Sequence, residues 1–539
     1  MRALPDFRSP RWTAVTALVT TGVLLAACAS GTDGPGAGGG KPRSGGTLTF
    51  AVGSDAGCVD PQQVGSNDTI YSVRQVVDSL TDQDPRTGKI VPWLAERWDV
   101  NADTTAFTFH LRSGVTFSDG SPLTAQVVKD NFDAVPELGV LGTLAQGYLS
   151  GVKSTEVVGP LTVKVTFRQP NAQFLQATST HSLGIESSAS VKRSPQRKCS
   201  DGVVGSGPFV LKRYVQNQSV TLDKRPGYAW GSSRWDKKGE AYLDRLVFKV
   251  VPEAGVRAGS LRSGQVDAIG SVGRADEAAL KGGQAAFLRR ANPGIVFGLG
   301  FNNTRPVLKD ARVRRAILAA VDREQIAGTV FPTGTRAATS VLSHTTPDYT
   351  SLAPELAFDA AKAKSLLEEA GWRTGADGIR SKDGRKLRLT VDWVPNAATN
   401  QPALELVQQQ LKAVGVQVVL KQLQLPQLTP IQQSGAYDAI WGNITRADPD
   451  ILRSSFSTKL ANFYRVPPSG LDTTLAAQAA TADPAERGRL VARAQRSIVR
   501  EAYNAPVVEL QTQLGVSTKV HGLAFDASSR IQLHDTWIG

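Results

Sequence analysis

Leu387-Arg388-Leu389-Thr390-Val391-Asp392-Trp393-Val394, followed by the helical pattern from Pro402 to Val414 and then by Val416 to Leu423, is the stretch that decides the fold. In its first segment apolar and polar residues alternate, which is the period of a strand. Pro402 stands where a helix tolerates proline, at its first position. Leu404, Val407, Leu411 and Val414 then share one face, and Gly415 follows the end. Val416 to Leu423 reads as a second strand. A strand, a crossover helix and a strand predict two neighbouring parallel strands in an α/β sheet. Tyr437 to Gly442 reads as a further strand, apolar on both faces. Ligands of open α/β sheets lie outside the carboxyl ends of the strands. Two polar segments that begin at tryptophan leave such ends here. They are Trp393-Val394-Pro395-Asn396 and Trp441-Gly442-Asn443-Ile444-Thr445-Arg446-Ala447-Asp448. Trp393, Asn396, Trp441, Asn443, Thr445, Arg446 and Asp448 are therefore the candidate ligand-binding residues. Taken singly, each tryptophan reads equally well as core and each polar residue as a loop cap. The coincidence of both segments at equivalent strand ends carries the expectation.

Outward from this unit, Asp310 can cap a helix through Val313, Ile317 and Val321 to Gly328, and Asp359 another that stops at Gly371. The first half is richer in strands: Thr47 to Val52, Phe107 to Leu111 and Leu161 to Phe167 all alternate. Ser118-Asp119-Gly120-Ser121-Pro122 is a turn cluster, and Thr124 can cap a helix through Asp133. At 539 residues the chain exceeds one core, so two or three lobes are expected. Apolar content of 41% and charged content of 20% suit a globular protein. The net charge of +13 comes from scattered Lys and Arg, without a basic run, zinc-finger spacing or RNA-binding aromatic motif, so no nucleic-acid partner is expected.

The first residues read as a targeting segment. Arg2, Arg8 and Arg11 precede the uncharged run Trp12 to Ala27, which is shorter than the ~20 residues that span a bilayer. Leu25-Ala26-Ala27-Cys28 matches the bacterial lipobox, and that resemblance implies that residues 1–27 are removed and Cys28 carries lipid. Ala29 to Gly46 is nearly half glycine and reads as a flexible tether, so that residues 28–46 join the lipid to a globular body held on the outer face of a membrane. Cys58 and Cys199 remain. In an oxidising compartment they can form a disulfide, or they stand as two isolated thiols. The histidines at 110, 181, 344, 521 and 534 never fall at metal-ligand spacing, and no metal or other cofactor is expected. Nucleophile-elbow, zinc-protease and phosphate-loop motifs are absent from the sequence. Ser150-Gly151-Val152-Lys153 has the Ser-x-x-Lys spacing of acyl-serine enzymes, but the Lys-Thr-Gly partner motif is missing, so an enzyme is not expected.

Longer matches run along the whole body. Gly45-Gly46-Thr47-Leu48-Thr49 opens it, and Gly88-Lys89-Ile90-Val91-Pro92-Trp93-Leu94-Ala95-Glu96-Arg97-Trp98 follows. The most specific is the run from Phe107-Thr108-Phe109-His110-Leu111-Arg112 through Phe117-Ser118-Asp119-Gly120 to Thr124-Ala125. Gly205-Ser206-Gly207-Pro208-Phe209, Leu261-Arg262-Ser263-Gly264-Gln265-Val266-Asp267 and Val313-Arg314-Arg315-Ala316-Ile317 complete the set. Together they resemble the extracytoplasmic peptide/nickel-type (family 5) solute-binding proteins of ABC importers, the dipeptide- and oligopeptide-binding group.

The resemblance implies an α/β, two-lobe periplasmic-binding-protein clamp with mixed sheets, a discontinuous first lobe and an extra strand-rich subdomain. It places lobe I at 46–295 with the subdomain at about 86–200, lobe II at 296–505, and a return to lobe I at 506–539. The crossings fall near Pro293 to Asn302 and near Ala505 to Gln511. It also implies a monomer, a short peptide or small-molecule ligand, and ABC permease and ATPase subunits as partners. Peptide-binding members carry a Gly-Trp-x-x-Asp-x-x-Asp/Glu-Pro stretch whose first aspartate pairs with the ligand amine. Here the stretch is Gly442-Asn443-Ile444-Thr445-Arg446-Ala447-Asp448-Pro449-Asp450, with Ile444 in place of that tryptophan. Asp448 aligns with the later, structural acid and Arg446 stands about where the amine-binding acid is expected. That departure leaves two classes of ligand open: a short peptide, or an anionic, sugar-derived or metal-chelate solute.

Overall fold

The computed structural model describes residues 40–539 apart from Gln284 and Asn396. Cys28 and most of the tether lie outside the described residues, as does the candidate ligand residue Asn396.

The deciding stretch forms the unit its pattern predicts. Strand Arg388–Trp393 pairs in parallel with Gln417–Gln422, from Arg388 opposite Gln417 to Trp393 opposite Gln422. The crossover helix is Asn400–Ala413, which buries Ala403, Leu404, Val407 and Leu411 against the sheet. It starts two residues earlier than expected, so Pro402 is its third residue rather than its first. That position is still free of cost to the helix, because first-turn amides have no intrahelical partner. Gly415 follows with φ +92°, a conformation that glycine supplies without strain.

These strands belong to a five-stranded sheet in the order Gln417–Gln422, Arg388–Trp393, Ala439–Thr445, Gly294–Phe301 and Asn504–Val508. Gly294–Phe301, where the first crossing is expected, is an interior strand of this sheet, buried along its whole length and antiparallel to both neighbours. The helix expected from Asp310 to Gly328 is two helices, Ala311–Ala320 and Arg323–Val330. Val321 leaves the helical region, and the Asp322 side chain accepts from Gln325 N at 2.9 Å, capping a new helix where the apolar period runs on.

The other large sheet has seven strands of mixed direction, in the order Ala285–Ala291, Gln511–Ser517, Ala268–Ile269, Thr47–Val52, Arg245–Val250, Ser219–Lys224 and Phe209–Val215. Beside it stands a four-stranded antiparallel sheet, Ala95–Val100, Ala106–Leu111, Thr162–Phe167 and Val152–Gly159. Phe107, Phe167 and Phe174 meet there edge to face, and helix Ala125–Ala134, capped by Thr124, covers it.

The chain leaves the seven-stranded sheet after Ala291 and enters the five-stranded one at Gly294. It returns between Val508 and Gln511. The two connections lie side by side, since Asn292 N donates to Leu510 O at 2.7 Å. Two α/β lobes joined by two short connections, with an extra strand-rich layer on one of them, make a two-lobe clamp. Cys58 and Cys199 are joined by a disulfide across 141 residues of sequence. Among the described residues no helix is long and apolar enough to cross a membrane.

Candidate functional site

Strand Ala439–Thr445 carries the site. It runs beside Gly294–Phe301, with Trp441 opposite Leu299 and Thr445 opposite Gly294, so its end arrives at the first interlobe crossing. Arg446 follows, and its N donates to Pro293 O at 3.0 Å. Gly294 has φ +106°, and a Cβ there would meet Ile444 O at 2.2 Å and Arg446 N at 2.6 Å. Only glycine lets the crossing strand and the site strand approach this closely.

Trp441 Nε1 donates to Asn400 Oδ1 at 3.2 Å, and Asn400 Nδ2 donates to Val394 O at 3.0 Å. This chain of bonds ties the two strand ends together. Trp393 itself packs into the core of the second lobe at 5% exposure, against the expectation that it faces ligand. Trp441 is also buried, yet one edge of it lines a cavity of 120 Å³. The cavity is walled by Phe297, Tyr437, Ile440, Phe463 and Tyr464, with Asn443 and Ile444 at the same strand. All its lining residues belong to the five-stranded lobe. Asn504 lines it too, and the Asn504 Oδ1 is buried with no donor among the described residues. The volume is below the ~300–1,000 Å³ of sites that hold a whole small molecule. It suits one side-chain-sized apolar group.

Beyond the cavity the strand end turns to the other lobe. The Arg446 guanidinium lies 4.4 Å from the ring centroid of Tyr148, on helix Thr143–Leu149. Among the described residues it has no carboxylate partner. Next to it Gln83 Nε2 donates to Ala447 O at 3.2 Å. Further along, Ala172 N and Thr104 Oγ1 both donate to Ala479 O, at 3.0 and 2.7 Å. The lobes are thus in contact along this line. Thr445, half-buried, accepts from Asn443 Nδ2 at 3.2 Å.

Asp448 does something different from its neighbours. Its Oδ1 accepts from Arg487 at 2.6 Å and from Asp450 N at 2.8 Å, and its Oδ2 from Arg487 at 3.0 Å. Burial alone lowers a guanidinium pKa, but the Asp448 carboxylate, with Asp450 and Asp348, raises that of Arg487 on balance. Asp448 is 5% exposed and fully committed to holding its loop, so it is not placed as a ligand anchor. Of the candidates, the structure brings Trp441, Asn443, Thr445 and Arg446 together. It turns Trp393 inward and pairs Asp448 away. Tyr148, Phe297 and Asn504 were missed, because each reaches the site from a distant part of the chain. Groups of His, Cys, Asp and Glu able to hold a metal are absent among the described residues.

Comparison with known proteins adds what geometry lacks. The family model of the bacterial extracellular solute-binding proteins, family 5, matches residues 89–461. The chain belongs to that family. The family 5 match covers the strand-rich layer, the first crossing and the site strand. The chain is 26% identical over 400 residues to the oligopeptide-binding protein AppA of Bacillus subtilis, covering 70% of this chain and 69% of the relative. It is 27% identical over 485 residues to the glutathione-binding protein GsiB of Salmonella paratyphi A, covering 86% and 88%. In fold it is similar to NikA of Brucella suis solved with Fe(III)-EDTA, with a TM-score of 0.79, 24% identity and coverage of 92% of this chain and 100% of that one. The two relatives matched in sequence are thus a binding protein for oligopeptides and one for glutathione.

Proposed function

We propose that this family 5 protein is the lipid-anchored substrate-binding subunit of an ABC importer, taking a short peptide or peptide-like solute that presents an anionic group. The clamp is residues 46–291 with 511–539 as one lobe and 294–508 as the other. Cys28 carries the lipid, the Gly-rich segment is the tether, and permease and ATPase subunits receive the cargo from the monomer.

One observation carries the ligand class. A side-chain-sized aromatic cavity lies along one strand, and the residue just past its end carries a guanidinium with no carboxylate partner among the described residues, at the crossing between lobes, while the nearby acid is occupied by Arg487. Among the described residues lining the cavity, a free ligand amine finds no carboxylate. A ligand carboxylate finds Arg446. The stack of Arg446 on Tyr148 is worth about 0.5–1 kcal/mol at a partly exposed site. A hydrogen-bonded charge pair is worth about 1.5–3 kcal/mol. The exchange from ring to carboxylate is downhill, so the cation can leave Tyr148 for cargo. The binding proteins for oligopeptides and glutathione among the relatives support peptide-like cargo. The structure solved with Fe(III)-EDTA supports the alternative, a polyanionic chelate held by the same cation.

Native mass spectrometry of the chain purified from its own host, followed by denaturation, tests this reading. Acidic or amine-blocked peptide masses are expected. A single chelate mass transfers the reading to the alternative, and a ladder of basic peptides with free amines refutes it. Arg446→Ala is expected to weaken binding of the released ligand about 10- to 150-fold, which is 1.5–3 kcal/mol. Unchanged affinity by calorimetry removes Arg446 from the site.

A further inference from the structure

The two connections between the lobes border a second, polar cavity of 330 Å³. Arg289 and Arg290 reach it from the edge strand Ala285–Ala291 of the first lobe, and Gln511 from the strand beside it. Arg336, His344 and Glu509 reach it from the second lobe and the return crossing. The charges do not cancel. Glu509 is buried, accepts from His344 N at 3.1 Å and pairs with His344 Nδ1. Arg289 is paired with Glu277 at 3.0 Å. Two guanidiniums are left over. Arg290 donates to Pro85 O at 2.8 Å, but its Nε is buried with no acceptor among the described residues. Burial lowers its pKa, and Asp526 and Asp84 offset this only from beyond ion-pair distance. Arg336 is exposed and has no carboxylate partner among the described residues. Its backbone oxygen accepts from Glu509 N at 2.9 Å, which fixes its strand of chain against the return crossing.

We infer that this hinge cavity binds a small multivalent oxyanion, of phosphate or carboxylate chemistry, held between Arg290 of one lobe and Arg336 of the other. Guanidinium forks match the oxygens of such anions two at a time. One anion pairs with the part of the Arg290 guanidinium that lines the cavity and neutralises the Arg336 charge. Because the two arginines stand on different lobes beside both crossings, the anion stabilises the interlobe arrangement seen here. A ligand that prefers one arrangement shifts the population toward it. The site is separate from the cargo cavity and does not depend on what the cargo is.

Thermal unfolding of the purified chain in sodium phosphate and in sodium citrate, each against sodium chloride at equal ionic strength, tests it. The comparison at equal ionic strength removes general screening. A saturable rise in Tm with the oxyanion is expected, as for any ligand of the folded state. Arg336→Ala, at an exposed position, is expected to weaken that response at least fivefold. Arg446→Ala and Arg97→Ala are expected to keep it. A rise with phosphate alone assigns a phosphate ligand, and a rise with citrate alone a polycarboxylate. No rise beyond chloride, an undiminished rise in Arg336→Ala, or a rise lost in Arg446→Ala overturns the inference. The last outcome assigns the anion to the cargo site.

Discussion

Asp448→Asn keeps the size of the side chain and removes its charge. If Asp448 were the cargo anchor, the change would lower affinity and spare stability. The structure predicts the reverse. Asn can accept one of the two hydrogen bonds from Arg487 and keep the one from Asp450 N, but it leaves a buried guanidinium without its nearest counter-charge. Removing one partner of a buried pair costs about 3–5 kcal/mol. Asp450 and Asp348 remain nearby and attract Arg487 from a distance, so the lower end applies, about 3 kcal/mol. With an unfolding entropy of about 2.1 cal/mol/K per residue, that is ~3 °C in Tm if roughly 500 residues melt together. It is ~7 °C if the second lobe, roughly 210 residues, melts alone. Scanning calorimetry reads the stability, and titration with the ligand released from the native protein reads the affinity. A variant that melts with the wild type and binds tenfold or more weakly would falsify the structural role of Asp448.

Three further changes probe the frame around the site. Gly294→Ala places a methyl group where Ile444 O and Arg446 N already stand, in a backbone conformation that costs about 1–3 kcal/mol for other residues. It is expected to lower both Tm and cargo affinity, and an unaffected protein shows that the crossing adjusts freely. Replacing both Cys58 and Cys199 by Ser opens a loop of 141 residues and is expected to cost about 2–5 kcal/mol, read by urea unfolding with unchanged cargo affinity. Cys28→Ser is expected to release the protein from the membrane fraction into a soluble one, and continued membrane fractionation rules out the lipid anchor.

The parts of the fold that could be read in advance are those written in neighbouring residues. The unit Arg388–Trp393, Asn400–Ala413, Gln417–Gln422 announces itself because its apolar period, its proline and its glycine all act within a few residues. The same locality misleads at Asp322. An unbroken apolar period suggests one helix, but a side chain that caps at Gln325 competes with it and wins. Around Gly294–Phe301 the sequence suggests only a crossing between lobes. The two flanking strands show that it is an interior strand of a sheet.

For the site, the sequence by itself determined which strand ends face outward and that Arg446 stands on one of them. It also determined family membership, through long runs of matching residues. Tertiary structure decided the rest. Whether Trp393 meets core or ligand depends on which face its neighbours cover. Whether Asp448 is free depends on Arg487, 39 residues away and delivered by helix Pro484–Arg500. Tyr148 meets Arg446 only when the lobes are in contact, and Arg290 shares a cavity with Arg336 only at the hinge. Hydrogen bonds and apolar periods within a turn or strand act over a few residues and leave a trace in the sequence. Contacts between elements far apart in the chain have no such trace, because any residue of suitable chemistry can supply them once the fold has brought the surfaces together.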